Sequence, residues 1–302
     1  MKSIIIGTRG SDLALRQANF IKERLAPITS YPIHLAIIKT QGDKLDDLSF
    51  AQMEGKGFFT KEIEEALLDN RIDLAVHSLK DLMTTIPDGL ALPAVGFRAD
   101  NRELLLVCPD SYDGSRPLKV KAGGVIGSSS VRRQSQIAHV SPDLKLEDLR
   151  GNVPTRVKKL RDGRYDAIII ALAGVRRLEM NLSDLHSIIL DEDEFLPAPG
   201  QGILGIQTRA DDSVINDVVA RLDDSSARIQ MALERGLMAR FEGGCQLPLG
   251  AYSEVIGNNL NLTAVLGVRK DNRWVGLKRA SSAGIDPTAV VDDVYRQLSS
   301  EK

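Results

Sequence analysis

Aromatic side chains make up only 4% of this 302-residue chain, too few for a nucleic-acid surface that works by stacking bases. Cysteine is scarcer still. Cys108 and Cys245 are the two, which excludes a disulfide framework and agrees with a reducing compartment. The longest apolar run, residues 167–173, falls far short of the ~20 residues that cross a bilayer. The chain enters a strand-like Ser3-Ile4-Ile5-Ile6 at once, with no charged leader before a long apolar segment, so a soluble, cytoplasmic protein is expected. Net charge is small too, at −2, and gives no overall pull toward polyanions.

The charge that is present is unevenly placed. Between positions 116 and 177, 14 Lys or Arg stand against 5 Asp or Glu, a local +9 that leaves −11 for the remainder. About one fifth of the chain is therefore a region that attracts anions. The length and a hydrophobic share of 43% supply cores for two or three domains.

Short apolar runs at 4–6, 35–38 and 74–76 alternate with helical patterns, one carrying Ala14, Ala18, Ile21 and Leu25 and the next Phe59, Ile63, Ala66 and Leu67. That order predicts a parallel sheet with covering helices, whose ligand sites lie at the carboxyl ends of strands. Thr8-Arg9-Gly10-Ser11 and His77-Ser78-Leu79-Lys80-Asp81 both fall there. Ser11 is a candidate N-cap, with Arg9 beside the exposed N–H groups of the helix it opens. Lys80 and Asp81 are either site residues or a surface pair of little energetic consequence.

A second alternating unit begins near Arg102, with runs at 104–107, 125–126, 167–170 and 188–190. Cys108 closes the first of these and reads as a packed residue. In Gly127-Ser128-Ser129-Ser130-Val131-Arg132-Arg133 a strand gives way to a helix through three hydroxyl residues. Two arginines in a first helical turn oppose the helix dipole, and a bound anion reverses the sign of that effect. Arg150, Arg156, Arg176 and Arg177 follow at later strand ends. Because the guanidinium fork suits carboxylates, the series suggests a polycarboxylate ligand.

Beyond the Pro- and Gly-rich residues 196–202, a helix is expected up to Phe241, ended by Gly243 and Gly244 so that Cys245 stands on a loop closed by Pro248. Cys245 is either a small buried hydrophobe or a presented thiol. Strict alternation of Leu260, Leu262, Ala264, Leu266 and Val268 marks a half-buried antiparallel strand. A further strand at 274–277 and a helix opened by Asp286-Pro287 complete a small α+β domain.

With these pieces in place the chain resembles the porphobilinogen deaminase family over essentially its whole length. The resemblance rests on the order of seven segments: Thr8-Arg9-Gly10-Ser11 with 13–15, Gly55-Lys56-Gly57-Phe58-Phe59 with Lys61-Glu62, residues 76–81, 127–133, 149–156, 196–202, and Glu242-Gly243-Gly244-Cys245-Gln246. It implies an α/β fold of two lobes like those of a periplasmic binding protein plus a small α+β C-terminal domain. The implied boundaries are 1–98 with 197–216, then 99–196, then 217–302.

The resemblance also implies a transferase of tetrapyrrole (haem) biosynthesis that joins four porphobilinogen molecules head to tail, loses ammonia and releases hydroxymethylbilane by hydrolysis. Its cofactor is a dipyrromethane bound covalently by a thioether, here to Cys245, and no metal is implied. Asp81 corresponds to the catalytic carboxylate. Lys80, Ser128, Ser129, Ser130, Arg132, Arg133, Arg150 and Arg156 would hold cofactor acetates and propionates. Arg9, Ser11, Arg150, Arg156 and Arg177 would hold the incoming substrate. Met83 and Gln41 depart from residues usual in the family. A monomer suffices, with neither nucleic acid nor membrane as partner.

The alternative is a two-lobed anion-binding receptor or sensor without catalysis, which predicts an unmodified Cys245. A thiol-nucleophile enzyme needs a histidine partner, and His34, His77, His139 and His186 carry no local signature of one.

Overall fold

The computed structural model describes residues 3–40, 60–242 and 246–300. Gln41, the segment 55–59, and Gly243, Gly244 and Cys245 lie outside the described residues. The described chain begins with β1 (Ile4–Thr8), α1 (Asp12–Leu25), β2 (Ile33–Ile37), α2 (Lys61–Leu68), β3 (Leu74–Ser78) and β4 (Leu90–Gly96). It continues through β5 (Glu103–Val107), β6 (Val125–Gly127), α3 (Val131–Val140), β7 (Lys145–Glu147), α4 (Val153–Arg161), β8 (Ala167–Ala171), α5 (Leu172–Leu178) and β9 (His186–Leu190). Last come β10 (Leu204–Arg209), α6 (Ser213–Ala220), α7 (Ser225–Arg240), β11 (Leu249–Ile256), β12 (Asn259–Lys270), β13 (Arg273–Gly284) and α8 (Pro287–Ser299). Two compact units result, Met1–Ala99 with Gly200–Ile229 and Asp100–Pro199 with Gln230–Lys302.

The sheet of the first unit has the order β2-β1-β3-β10-β4. β1 is parallel to both neighbours, but β10 is antiparallel to β3 and β4. The expected parallel sheet is thus a mixed one, because β10 arrives with the returning chain and not through a helical crossover from β3. The helical spacing of Ala18, Ile21 and Leu25 buries all three against Ile4, Ile6, Leu74, Val76 and Ile206, each large aliphatic contributing roughly 1.5–3 kcal/mol. On the other face α2 packs Ile63, Ala66 and Leu67 over Ile72 and Ala75. Gly7 lets that layer close, since a Cβ there would lie 2.2 Å from Ile72 Cδ1.

The second unit holds a sheet of order β7-β6-β8-β5-β9, with β6 parallel to β7 and β8 and β5 antiparallel to β8 and β9. β5 is buried on both sides, Leu105 and Val107 entering one core and Leu104 and Leu106 the other. That is why its sequence reads as an unbroken apolar run. Cys108 follows it, half-buried beside the second of these cores, with Sγ donating to Leu160 O at 3.5 Å; burial pushes its thiol pKa up.

The same unit contains the antiparallel sheet β11-β12-β13, covered by Val290, Val291, Val294 and Leu298 of α8. The expected alternation along β12 holds for Leu260, Leu262 and Ala264, then Val265 is buried and Leu266 and Val268 are intermediate. α3 packs on β12 and β13, with Ser135 so close to Gly267 that a Cβ there would meet its Cβ at 2.5 Å. That end of the strand therefore has cover on both faces. Among the described residues no helix is long and apolar enough to cross a membrane.

Candidate active site

In the first unit the carboxyl ends of β1 and β3 form one cavity of about 70 Å³, lined by Arg9, Ser11, Thr60, His77, Ser78 and Asp81 among others. β1 runs out at Thr8, and Ser11 sits extended at φ −72°, ψ 147° as N-cap of α1, accepting from Ala14 N at 3.4 Å. β3 ends in a single 3-10 turn over Leu79–Asp81, so Lys80 and Asp81 leave the sheet together. Three hydrogen bonds pin this turn. Gln17 Nε2 donates to Ser78 Oγ at 2.9 Å, Leu79 N to Ile203 O at 3.0 Å, and Lys80 Nζ to Gln201 Oε1 at 3.0 Å. Lys80 is thus turned toward Gln201, and Asp81 is exposed.

The returning chain supplies two of those contacts. Gly200 and Gly202 take φ of 75° and 89°, the left-handed region that favours glycine. At Gly202 a Cβ would stand 2.5 Å from Ala99 O, so a larger residue would displace the loop that carries Gln201.

Beneath the turn lies a buried polar chain. His77 Nε2 meets Gln207 Oε1 at 3.1 Å, and Gln207 Nε2 donates to Glu64 Oε1 at 3.2 Å. His77 is 6% exposed and Gln207 fully buried. Burial lowers the His77 pKa to about 4, against the opposing hydrogen bond with Gln207, so the ring is neutral near pH 7.

In the second unit the expected hydroxyl cluster opens α3. Ser130 is the N-cap and accepts from Arg133 N at 3.5 Å. Ser128 Oγ accepts from Ser130 N, and Ser129 Oγ both donates to Leu149 O and accepts from Leu149 N at 3.0 Å. Arg132 and Arg133 do not stand open as the dipole argument anticipated. Both are buried and share the fully buried Glu103: Arg132 Nη2 to Oε1 at 2.6 Å, Arg133 Nε to Oε1 at 3.2 Å and Nη2 to Oε2 at 2.8 Å. Arg132 Nη1 also donates to Leu196 O at 2.8 Å, and burial lowers its pKa. The anion beside this helix start is a carboxylate of the chain itself.

Arg150 and Arg156 are half-buried, Arg156 Nε donating to Gly151 O at 2.7 Å. Arg177 lies near the end of α5 with its pKa lowered to about 10 by burial. Reading the sequence did not single out Thr60, His77, Glu64, Gln207, Gln201 or Glu103 as site residues. Glu103 had one available signal, an acidic residue at the head of an otherwise apolar strand run.

Comparison with known proteins places this geometry. The family model described as porphobilinogen deaminase, dipyromethane cofactor binding domain matches residues 4–217, and that described as porphobilinogen deaminase, C-terminal domain matches residues 229–291. Proteins named porphobilinogen deaminase are 47% identical in Maridesulfovibrio salexigens, over 87% of this chain and 84% of that one, and 40% identical in Sulfurimonas denitrificans, over 100% and 94%. Among solved structures, an ancestral arginine-binding protein aligns at TM-score 0.42 and 14% identity, covering 80% of this chain and 99% of that one. Likeness at that level adds nothing to the sheet orders above, on which the fold class rests. The relatives carry the name of an enzyme, and the receptor alternative is set aside.

Proposed function

This chain belongs to the porphobilinogen deaminase family, and from that premise we propose that it joins four porphobilinogen molecules head to tail on a dipyrromethane bound by a thioether to Cys245, then releases hydroxymethylbilane by hydrolysis. It is a transferase of tetrapyrrole biosynthesis. Dipyrromethane, when bound, supplies the pyrrole end from which the product grows. The residues fit such a group. Lys80 and the arginines are donors only, and the hydroxyls at the start of α3 face a helix N-terminus, so the set suits carboxylates.

Lys80, Ser128, Ser129, Ser130, Arg150 and Arg156 bind the acetate and propionate groups, with Arg132 and Arg133 contributing while Glu103 holds their guanidinium planes. Arg9, Ser11 and Arg177, with Arg150 and Arg156, orient the incoming pyrrole. Asp81 stabilises the cation left when ammonia departs, and moves protons to the leaving amine and from the coupling carbon. The family limits at 217 and 229 support three domains, 1–98 with 197–216, 99–196 and 217–302. All residues given roles come from one chain, so a cytoplasmic monomer suffices.

The observation that carries this reading is Asp81 itself: an exposed carboxylate on a pinned turn, lining the cavity that Arg9 and Ser11 also line. Intact-mass spectrometry with mapping of peptide 242–250 tests it. The expected result is an added mass of two porphobilinogen units less two ammonias on Cys245, absent from Cys245→Ala. Asp81→Ala should keep that mass and lose most turnover. Unmodified Cys245 after incubation with porphobilinogen would sink the anchor, and a near-normal rate in Asp81→Ala would move the catalytic role elsewhere.

A further inference from the structure

Two buried side chains at the first unit's cavity have hydrogen-bonding capacity that the fold does not use. Thr60 occupies the N-cap of α2, where a threonine ordinarily accepts from its own helix, yet it makes no capping bond. Its Oγ1 is buried and has no partner among the described residues. His77 is the second. Gln207 spends its Nε2 on the Glu64 carboxylate, so its Oε1 is what meets His77 Nε2, and that nitrogen must carry the ring's hydrogen. Nδ1 is left as an acceptor, and no described residue donates to it.

The cavity, about 70 Å³, has room for an ammonium group, since about 10–15 Å³ on the same measure suffices for a molecule the size of water. The N–H bonds of an ammonium group call for acceptors. We propose that this cavity is the leaving-group site, in which His77 Nδ1 and Thr60 Oγ1 join the Asp81 carboxylate in accepting from the protonated aminomethyl nitrogen of porphobilinogen and from the ammonia released. The inference rests on the reaction proposed above and gives that reaction's nitrogen a place.

In the step itself the carbon–nitrogen bond of the protonated aminomethyl arm breaks and its electron pair leaves with nitrogen as ammonia. The pyrrole nitrogen's pair moves in to form the exocyclic double bond, and the positive charge passes from ammonium to ring. Neutrality of the imidazole matters, because a protonated ring would repel the arm it is to hold; burial keeps it neutral down to about pH 4. Among the described residues two charged groups line the cavity with it, Asp81 with the sign the ammonium needs and Arg9 with the opposite sign. Arg9 is matched by the carboxylates of the incoming pyrrole. Glu64, behind Gln207, fixes the tautomer.

The test uses the cofactor-loaded protein titrated with ammonium chloride, and in parallel with tetramethylammonium chloride at equal ionic strength. Porphobilinogen consumption and the imidazole nitrogen resonances of His77 are followed together. Ammonium alone should compete with porphobilinogen and shift Nδ1 with the same apparent constant. His77→Gln keeps a donor toward Gln207 but has no acceptor at the Nδ1 position, and should weaken ammonium about tenfold or more with thermal stability retained. His77→Asn keeps an acceptor near Nδ1 and should bind ammonium more tightly than the Gln variant.

A silent Nδ1, an equal effect of tetramethylammonium, or a Gln variant that binds ammonium as the parent does would overturn the proposal. So would a reversed order of the two variants. Loss of the family reading looks different, since porphobilinogen would then go unconsumed while the Nδ1 response still decides this point.

Discussion

In the first unit the antiparallel strand β10 carries a neutral amide, Gln207, to the centre of a sheet whose three other core strands are mutually parallel or antiparallel in the order β1-β3-β10-β4. In the second unit the matching strand, β5 in the order β6-β8-β5-β9, carries a carboxylate, Glu103. Both side chains are fully buried. Gln207 pairs in register with Ala75 of β3 and Glu103 with Ala171 of β8, and the loop after β1 or β6 ends in a serine N-cap, Ser11 or Ser130. One frame thus holds two kinds of polar centre. Gln207 orders a neutral imidazole, whereas Glu103 gathers two guanidinium groups and leaves the trio with one net positive charge. The difference suits the roles proposed for them: a neutral wall beside a leaving ammonium, and a cationic support beside carboxylates.

Removing each centre should separate them most widely. Glu103→Ala leaves two buried guanidinium groups without their carboxylate and should cost about 3–5 kcal/mol. Gln207→Ala leaves neutral groups unsatisfied and should cost about 1–3 kcal/mol. Urea unfolding, with amide exchange in β5 and β3 reporting each unit, measures both. Equal costs would erase the distinction between the centres. Replacing Glu103, Arg132 and Arg133 together by apolar residues of similar volume should recover most of the loss while abolishing anion binding at α3.

The next effect is one of pH. His77 has a folded pKa of about 4 against an ordinary 6.5. Between those values the unfolded chain takes up a proton that the fold excludes. Stability from this group is therefore full above about pH 6.5 and is lost as pH falls toward 4, by about 3 kcal/mol in all. Exchange protection in β3 and β10 should fall over that window, and His77→Gln should flatten the slope. In the second unit Asp100, held low by the hydrogen bond from Arg102, titrates below the window, and β5 should keep its protection. A parallel decline in β5 would mean that the acid sensitivity does not belong to the first unit.

How far the sequence reached follows from which of these contacts are local. Ser11 and Ser130 were legible because a cap and the backbone N–H that donates to it lie three residues apart, and α1, α8 and β12 because one element's periodicity declares its buried face. Glu103 stands 29 and 30 residues from its arginines, and His77 stands 130 from Gln207. No spacing rule spans such gaps, so Arg132 and Arg133 read as open to a ligand when the fold had already given them a carboxylate. The mixed sheets were missed for the same reason. A strand's direction is set by the partner it reaches, and β5 and β10 reach theirs from the far side of the chain's crossing. β4 was hidden by Pro93 and β11 by its irregular pattern. Cys245, the residue on which the cofactor reading depends, came only from the loop chemistry and the family's motif.

The smallest expected effect tests whether the two frames are alike where their chemistry differs. Ser11 and Ser130 cap at 3.4 and 3.5 Å, long bonds for a hydroxyl accepting from backbone N–H. Each change to alanine should therefore cost about 0.5–1 kcal/mol, the lower part of the range for caps. Faster amide exchange in the first turn of α1 or α3 would report it. The two costs should match within a few tenths of a kcal/mol in the absence of ligand, because each hydroxyl accepts from one backbone N–H of its own helix at nearly the same distance. With the carboxylate-bearing cofactor loaded, Ser130→Ala should become the costlier change, since α3 would lose a hydroxyl assigned to binding as well as its cap. If Ser11→Ala were instead the costlier in the loaded protein, the division between a cationic unit that grips carboxylates and a neutral one that receives nitrogen would have to be redrawn.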